Sequence, residues 1–103
     1  HDSTSYDYAV SLYNTALGNV TTAENHYVGG GANITDGEGY MSAGNAALTA
    51  ENWTLAYEKF CCANASFEGA SVLLDNALDQ WCFAASRFGQ AEDAWYESWY
   101  EYE

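Results

Sequence analysis

Residues 46–102 read AALTAENWTLAYEKFCCANASFEGASVLLDNALDQWCFAASRFGQAEDAWYESWYEY. Ala46, Trp53, Phe60, Phe67, Leu74, Trp81, Phe88, Trp95 and Tyr102 follow one another at intervals of seven. Three positions after the first eight of these stand Thr49, Ala56, Ala63, Ala70, Ala77, Ala84, Ala91 and Ser98. The pattern is a heptad repeat with a large, mostly aromatic residue at a and a small one at d. A 3,4 spacing lays an apolar stripe along one helix face. A strict seven-residue period favours left-handed supercoiling of packed helices. A small residue at d lets a partner backbone approach, and the ring at a fills the space beside it. Unbroken, the segment would be about 85 Å long at 1.5 Å per residue, a length typical of coiled coils and helical arrays.

The same heptad opens the chain. Tyr6, Tyr13, Val20 and Tyr27 fall at a, and Ala9, Ala16 and Ala23 at d. Residues 3–28 are expected to form the first helix, capped by Ser3 or Thr4, with Asp7 in its first turn, where a carboxylate favours the helix dipole. Residues 29–39 read GGGANITDGEG, and five glycines in so short a run predict a loop. The loop lacks the Lys-Ser/Thr ending of a phosphate loop and the ligand set of a calcium loop. From residue 40 to 102 a second helical region is expected, with no proline to interrupt it. Its weak point is Cys61–Ser71, where Gly69 could mark a turn. A turn there would shift the heptad phase, and the phase does not shift.

Two all-α architectures follow for this single domain, 1–103. The preferred one is a helical hairpin with a very long C-terminal helix, coiled-coil-like in pattern. In it the residues from about 66 onward have no partner within the chain, and their apolar stripe calls for other subunits. Trp53, Phe60, Phe67, Leu74, Trp81, Phe88, Trp95 and Tyr102 would form that assembly seam, each worth about 1.5–3 kcal/mol when buried. The alternative is a monomeric three-helix bundle broken near Gly69.

Composition narrows the partners. Fifteen acidic residues face Lys59 and Arg87 alone, for a net charge of −13. No basic patch exists to neutralise phosphates, which argues against nucleic acid and anionic membrane surfaces. No apolar run reaches 18 residues, so membrane insertion is not expected. The chain starts at His1 without a signal sequence, as expected of a mature exported protein. Four sequons, at Asn19, Asn33, Asn52 and Asn64, point to N-glycosylation. Asn33 looks the best of them because it falls in the predicted loop, whereas Asn19 and Asn52 border the seam. Exported thiols tend to pair, and three cysteines, Cys61, Cys62 and Cys82, leave one free or bonded to another chain. On one straight helix Cys61 and Cys82 would lie about 31 Å apart, far beyond the 7 Å or so that a disulfide spans. Staggered subunits would instead join Cys82 of one chain to Cys61 or Cys62 of the next. In the bundle alternative the same pairing closes within one chain, and the plain reading is three buried thiols acting as small apolar residues.

Chemistry is otherwise thin. His1 and His26 are too far apart in sequence to form a metal pair, and no His-Glu-x-x-His, Cys-x-x-Cys or nucleophile–base motif occurs. No catalytic residue, metal or cofactor is expected. Rings at a recur about 10.5 Å apart along one helix, too far to stack, so packing explains them better than electron transfer. The expected protein is a secreted, N-glycosylated structural subunit, extracellular or on a cell surface. Its partners would be copies of itself, joined into a filament or surface appendage, and its glycans. The rival readings are a monomeric secreted three-helix binding module and a piece of a membrane-anchored ectodomain.

Overall fold

A computed structural model describes residues 3–102, with side chains as far as Trp99. Helix α1 spans Ser3–Thr49 and helix α2 spans Trp53–Tyr102. A three-residue turn joins them into a helical hairpin, and no strand occurs among the described residues. The contacts divide into two compact units, one of His1–Glu24 with Ala77–Glu103 and one of Asn25–Asn76.

The expected loop at 29–39 is not a loop. All eleven residues lie inside α1, although glycine costs about 0.8–1.0 kcal/mol relative to alanine at each helix position. Tertiary packing outweighs that cost. Gly30, Gly37 and Gly44 carry on the seven-residue series begun by Ala9, Ala16 and Ala23, and all six are buried. In the unit Asn25–Asn76 the a-position side chains of α2 lie on these glycines. A Cβ on Gly37 would come within 2.6 Å of the Phe67 ring, one on Gly44 within 2.6 Å of Phe60, and one on Gly30 within 2.9 Å of Leu74. Each step of seven along α1 is matched by a step of seven backward along α2, so one antiparallel register serves all three contacts. Gly31 and Gly39 face open space and contribute nothing to this packing.

The second expected boundary, at residue 40, also moves. The turn falls at Ala50-Glu51-Asn52, so Ala46 and Thr49 belong to the end of α1, where both are exposed. The first step of the long heptad therefore matched by coincidence. The turn closes by a Schellman arrangement: Glu51 N–H donates to Leu48 O at 2.9 Å and Asn52 N–H to Ala47 O at 2.8 Å. Glu51 takes the left-handed conformation, φ 58°, where glycine is the usual residue. Asn52 then caps α2, its Oδ1 accepting from Leu55 N–H at 3.1 Å.

Helix α2 runs through Gly69 without a break, so there is no third helix and no three-helix bundle. Gly69 instead faces α1, where an added Cβ would come 3.0 Å from Asn33 Nδ2. Nor is α2 unpartnered beyond residue 66, because α1 is longer than expected. Leu74 packs on Gly30. In the unit formed by the two chain ends, Phe88 meets Tyr13 edge-on at 5.7 Å between centroids. In that unit Asn19 Nδ2 also donates to Gln80 Oε1 at 2.9 Å.

Every buried residue among those described is Ala, Gly or Ser. Ala56, Ala63, Ala70, Ala77, Ala84, Ala91 and Ser98 form the α2 stripe, and Ala47 and Ala94 add to the seam beside it.

Two tests follow from this packing. Gly37→Ala and Gly44→Ala should each destabilise the hairpin by about 1–3 kcal/mol, whereas Gly31→Ala and Gly39→Ala should each stabilise it by about 1 kcal/mol. Urea unfolding followed by circular dichroism distinguishes them, and four shifts of the same sign would refute the seam assignment. Glu51→Gly should raise stability by about 1 kcal/mol, because a left-handed L-residue costs about 1–2 kcal/mol. A lower melting temperature would show that the Glu51 side chain contributes something the turn geometry does not reveal.

Candidate functional site

The residues expected to form an assembly seam divide into two groups. Phe60, Phe67, Leu74 and Phe88 are half-buried, and contacts with α1 hold them within the hairpin. Trp53, Trp81 and Trp95 keep 63%, 36% and 43% of their surface exposed. The ring of Tyr102 lies outside the described side chains. The a stripe of α2 therefore flanks an intrachain seam whose centre is the small residue at d. Its phenylalanines are committed to the hairpin, and its tryptophans present wide indole surfaces outward.

Other large apolar side chains join them at the surface. Around the turn these are Met41, Leu48, Leu55 and Tyr57, and in the other unit Tyr8, Leu17, Leu78 and Phe83. Two helices side by side can enclose only a narrow strip, and here the strip is filled by methyl groups and glycine backbone. Rings attached a few residues away have nowhere within the chain to be enclosed.

The sequons are placed differently from expectation. Asn33, preferred when residues 29–39 were read as a loop, is half-buried in α1 opposite Gly69. Asn19 is half-buried as well; its amide donates to Gln80, and its Oδ1 is buried without a hydrogen-bond partner. A glycan on either would have to part the helices. Asn52 is exposed in the turn, and Asn64 is exposed on α2, with its amide 3.3 Å from Glu68 Oε1.

Cys61, Cys62 and Cys82 are unbonded thiols, and all three are exposed. They are not the buried apolar residues of the plain reading, and α2 has no break that would fold Cys82 back beside the other two. The Tyr57 hydroxyl hydrogen-bonds Cys61 one turn away. Interaction with Cys61, first as a hydrogen-bond partner and then through charge, raises the Tyr57 pKa above its ordinary 10.0.

His26 is half-buried on α1, and His1 lies outside the described residues. No group of three or more His, Cys, Asp or Glu could hold a metal among the described residues. No helix is long and apolar enough to cross a membrane, again among the described residues. Both basic side chains sit over aromatic rings. Lys59 Nζ is 5.8 Å from the centroid of Tyr40, and Arg87 Cζ is 5.6 Å from that of Phe83.

Sequence reasoning missed Gly30, Gly37 and Gly44 as seam residues. Their signal was present, since they stand 7, 14 and 21 residues after Ala23. No protein-family model, curated protein or solved structure matches the chain.

Site mapping of folded protein from a glycosylating host should find carbohydrate at Asn52 or Asn64 and none at Asn19 or Asn33. Glycopeptide mass spectrometry gives the answer, and a fully occupied Asn33 would contradict the packing described at Gly69.

Proposed function

We propose that the chain is a secreted, N-glycosylated structural subunit that self-assembles through its aromatic flanks into a filament or surface appendage. One observation carries this reading. Among the described residues the hairpin buries only Ala, Gly and Ser, while Trp53, Tyr57, Trp81 and Trp95 remain at its surface. An exposed aromatic population of this size marks an interaction surface, and tryptophan and tyrosine are the residues that anchor interfaces. A small domain whose core holds no large side chain also gains stability by association.

The assembly differs from the one the sequence alone implied. The copies would not cover a bare half of α2, because α1 already lies along it. They would cover the outer edges of the hairpin, adding helices beside the intrachain seam as layers are added to a bundle. Contacts that repeat without closing produce helical filaments. The exposed thiols Cys61, Cys62 and Cys82 are available for bonds between chains once copies lie side by side in an oxidising medium.

Charge sets the conditions. At net −13 neighbouring copies repel, and added salt shortens the range of that repulsion from about 10 Å at 0.1 M to about 3 Å at 1 M.

Light scattering and electron microscopy test the reading. Particles far larger than one chain should form and grow with salt, and a monomer at every salt concentration would refute it. Trp53→Ala with Tyr57→Ala should weaken assembly while changing hairpin stability by no more than about 0.5 kcal/mol per site. Phe67→Ala should instead weaken the hairpin itself by about 2–4 kcal/mol. Denaturing gels without reductant should show a ladder that collapses to a single band when reductant is added, whereas one monomer band in both lanes would exclude the covalent staple.

A further inference from the structure

The unit built from the two chain ends contains an open groove of ≈ 500 Å³, within the 300–1,000 Å³ or so typical of small-molecule sites. Its floor includes Ala9 and Ala91, members of the two small-residue stripes. With so little side chain at the floor, the larger residues on either side stand up as walls. Five of them are aromatic: Tyr6 and Tyr13 from α1, and Phe88, Trp95 and Tyr96 from α2. They brace one another edge to face, Tyr13 with Phe88 at 5.7 Å and Trp95 with Tyr96 at 5.2 Å between centroids. Trp99 supports Trp95 from behind, at 5.9 Å.

The electrostatics of this groove are one-sided. Among its described lining residues the one charged side chain is Glu92, and the chain as a whole carries −13. The faces of aromatic rings are themselves negative. No Lys or Arg lines the groove, and both basic residues of the chain are engaged elsewhere. Lys59 sits over Tyr40. Arg87 sits over Phe83 and donates to its carbonyl at 3.4 Å. Each lies within the 6 Å or so over which a cation is attracted to a ring face. The groove gathers more rings than either of those places, adds a carboxylate, and has no Lys or Arg among its described lining residues.

We propose that this groove binds a small organic cation of the quaternary ammonium class, seated against Trp95 and its neighbouring rings and balanced by Glu92. Ring faces with one carboxylate suit such a cation because it brings no N–H donors to satisfy. A guanidinium would bring five and a primary ammonium three, which would have to be shared among the Glu92 carboxylate and three tyrosine hydroxyls. The site needs no second copy, since every residue named belongs to one unit of one chain, although Trp95 is also one of the surface rings on which the assembly reading rests.

Choline chloride titrated into the full chain at low protein concentration tests this, with sodium chloride holding the ionic strength constant. The control ligand is 3,3-dimethylbutan-1-ol, which has the same shape without the charge. Calorimetry should give saturable choline binding at one site per chain, at least about tenfold tighter than the alcohol. The Trp95 indole N–H resonance should shift in parallel. Glu92→Gln should weaken binding about two- to fivefold. Tyr96→Leu should weaken it further while circular dichroism stays unchanged. Equal affinity for alcohol and choline would reduce the groove to an apolar patch and overturn the proposal. So would an absence of binding, or binding that ignores both substitutions. Dilute protein keeps this result separate from the size measurements, so either reading can fail without the other.

Discussion

The close approach of two helix backbones governs this fold. A small residue at every seventh position of both helices permits it, and the a-position side chains of α2 then lie across the stripe of α1. On α1 the same stripe carries buried alanine at Ala9, Ala16 and Ala23. Where it offers Gly30, Gly37 and Gly44, the side chain rests on the backbone itself, and even a methyl group would collide with it. The continuity of α1 depends on this contact. Its glycine-rich middle has poor intrinsic helicity, so the α2 side chains bearing on it from the other side keep it helical.

Much of this was legible in the sequence, though not its position in the chain. The heptad of α2, its alanine stripe and the all-α class could be read from spacing alone. The glycine run was misread because two signals conflicted there. Composition at 29–39 indicated a loop, while the register carried from Ala23 to Gly30 and Gly37 indicated helix, and the register reflects the packing that decided the outcome. The true turn gave little warning. Ala50-Glu51-Asn52 contains no glycine, and its one standard signal is Asn52 as a cap. Once the loop was misplaced, the sequons followed: Asn33 was assigned to an open loop and lies at the seam, whereas Asn52 lies in the turn.

The surface follows from the same constraint. A seam this narrow cannot enclose indole or phenol rings, so they stand along its flanks among carboxylates. Lys59 and Arg87 both rest on such rings, and the aromatic groove at the paired chain ends is a larger version of that environment. The proposed assembly and the proposed cation site would be two uses of one surplus, aromatic area that the hairpin cannot bury. The two overlap at Trp95, while Trp53 and Tyr57 near the turn bear on assembly alone.

A core that among the described residues is confined to alanine, glycine and serine also shapes the response to temperature. Unfolding heat capacity comes mainly from newly wetted apolar surface, about 12–15 cal/mol/K per residue in ordinary globular proteins. A single hairpin whose rings are already largely wet exposes less, so its stability curve is shallow and broad, with weak tendencies to unfold at either extreme of temperature. Covering those rings with neighbouring copies restores the missing term and steepens the curve. In the proposed assembly the same sequence would thus be a different thermal material from the isolated hairpin.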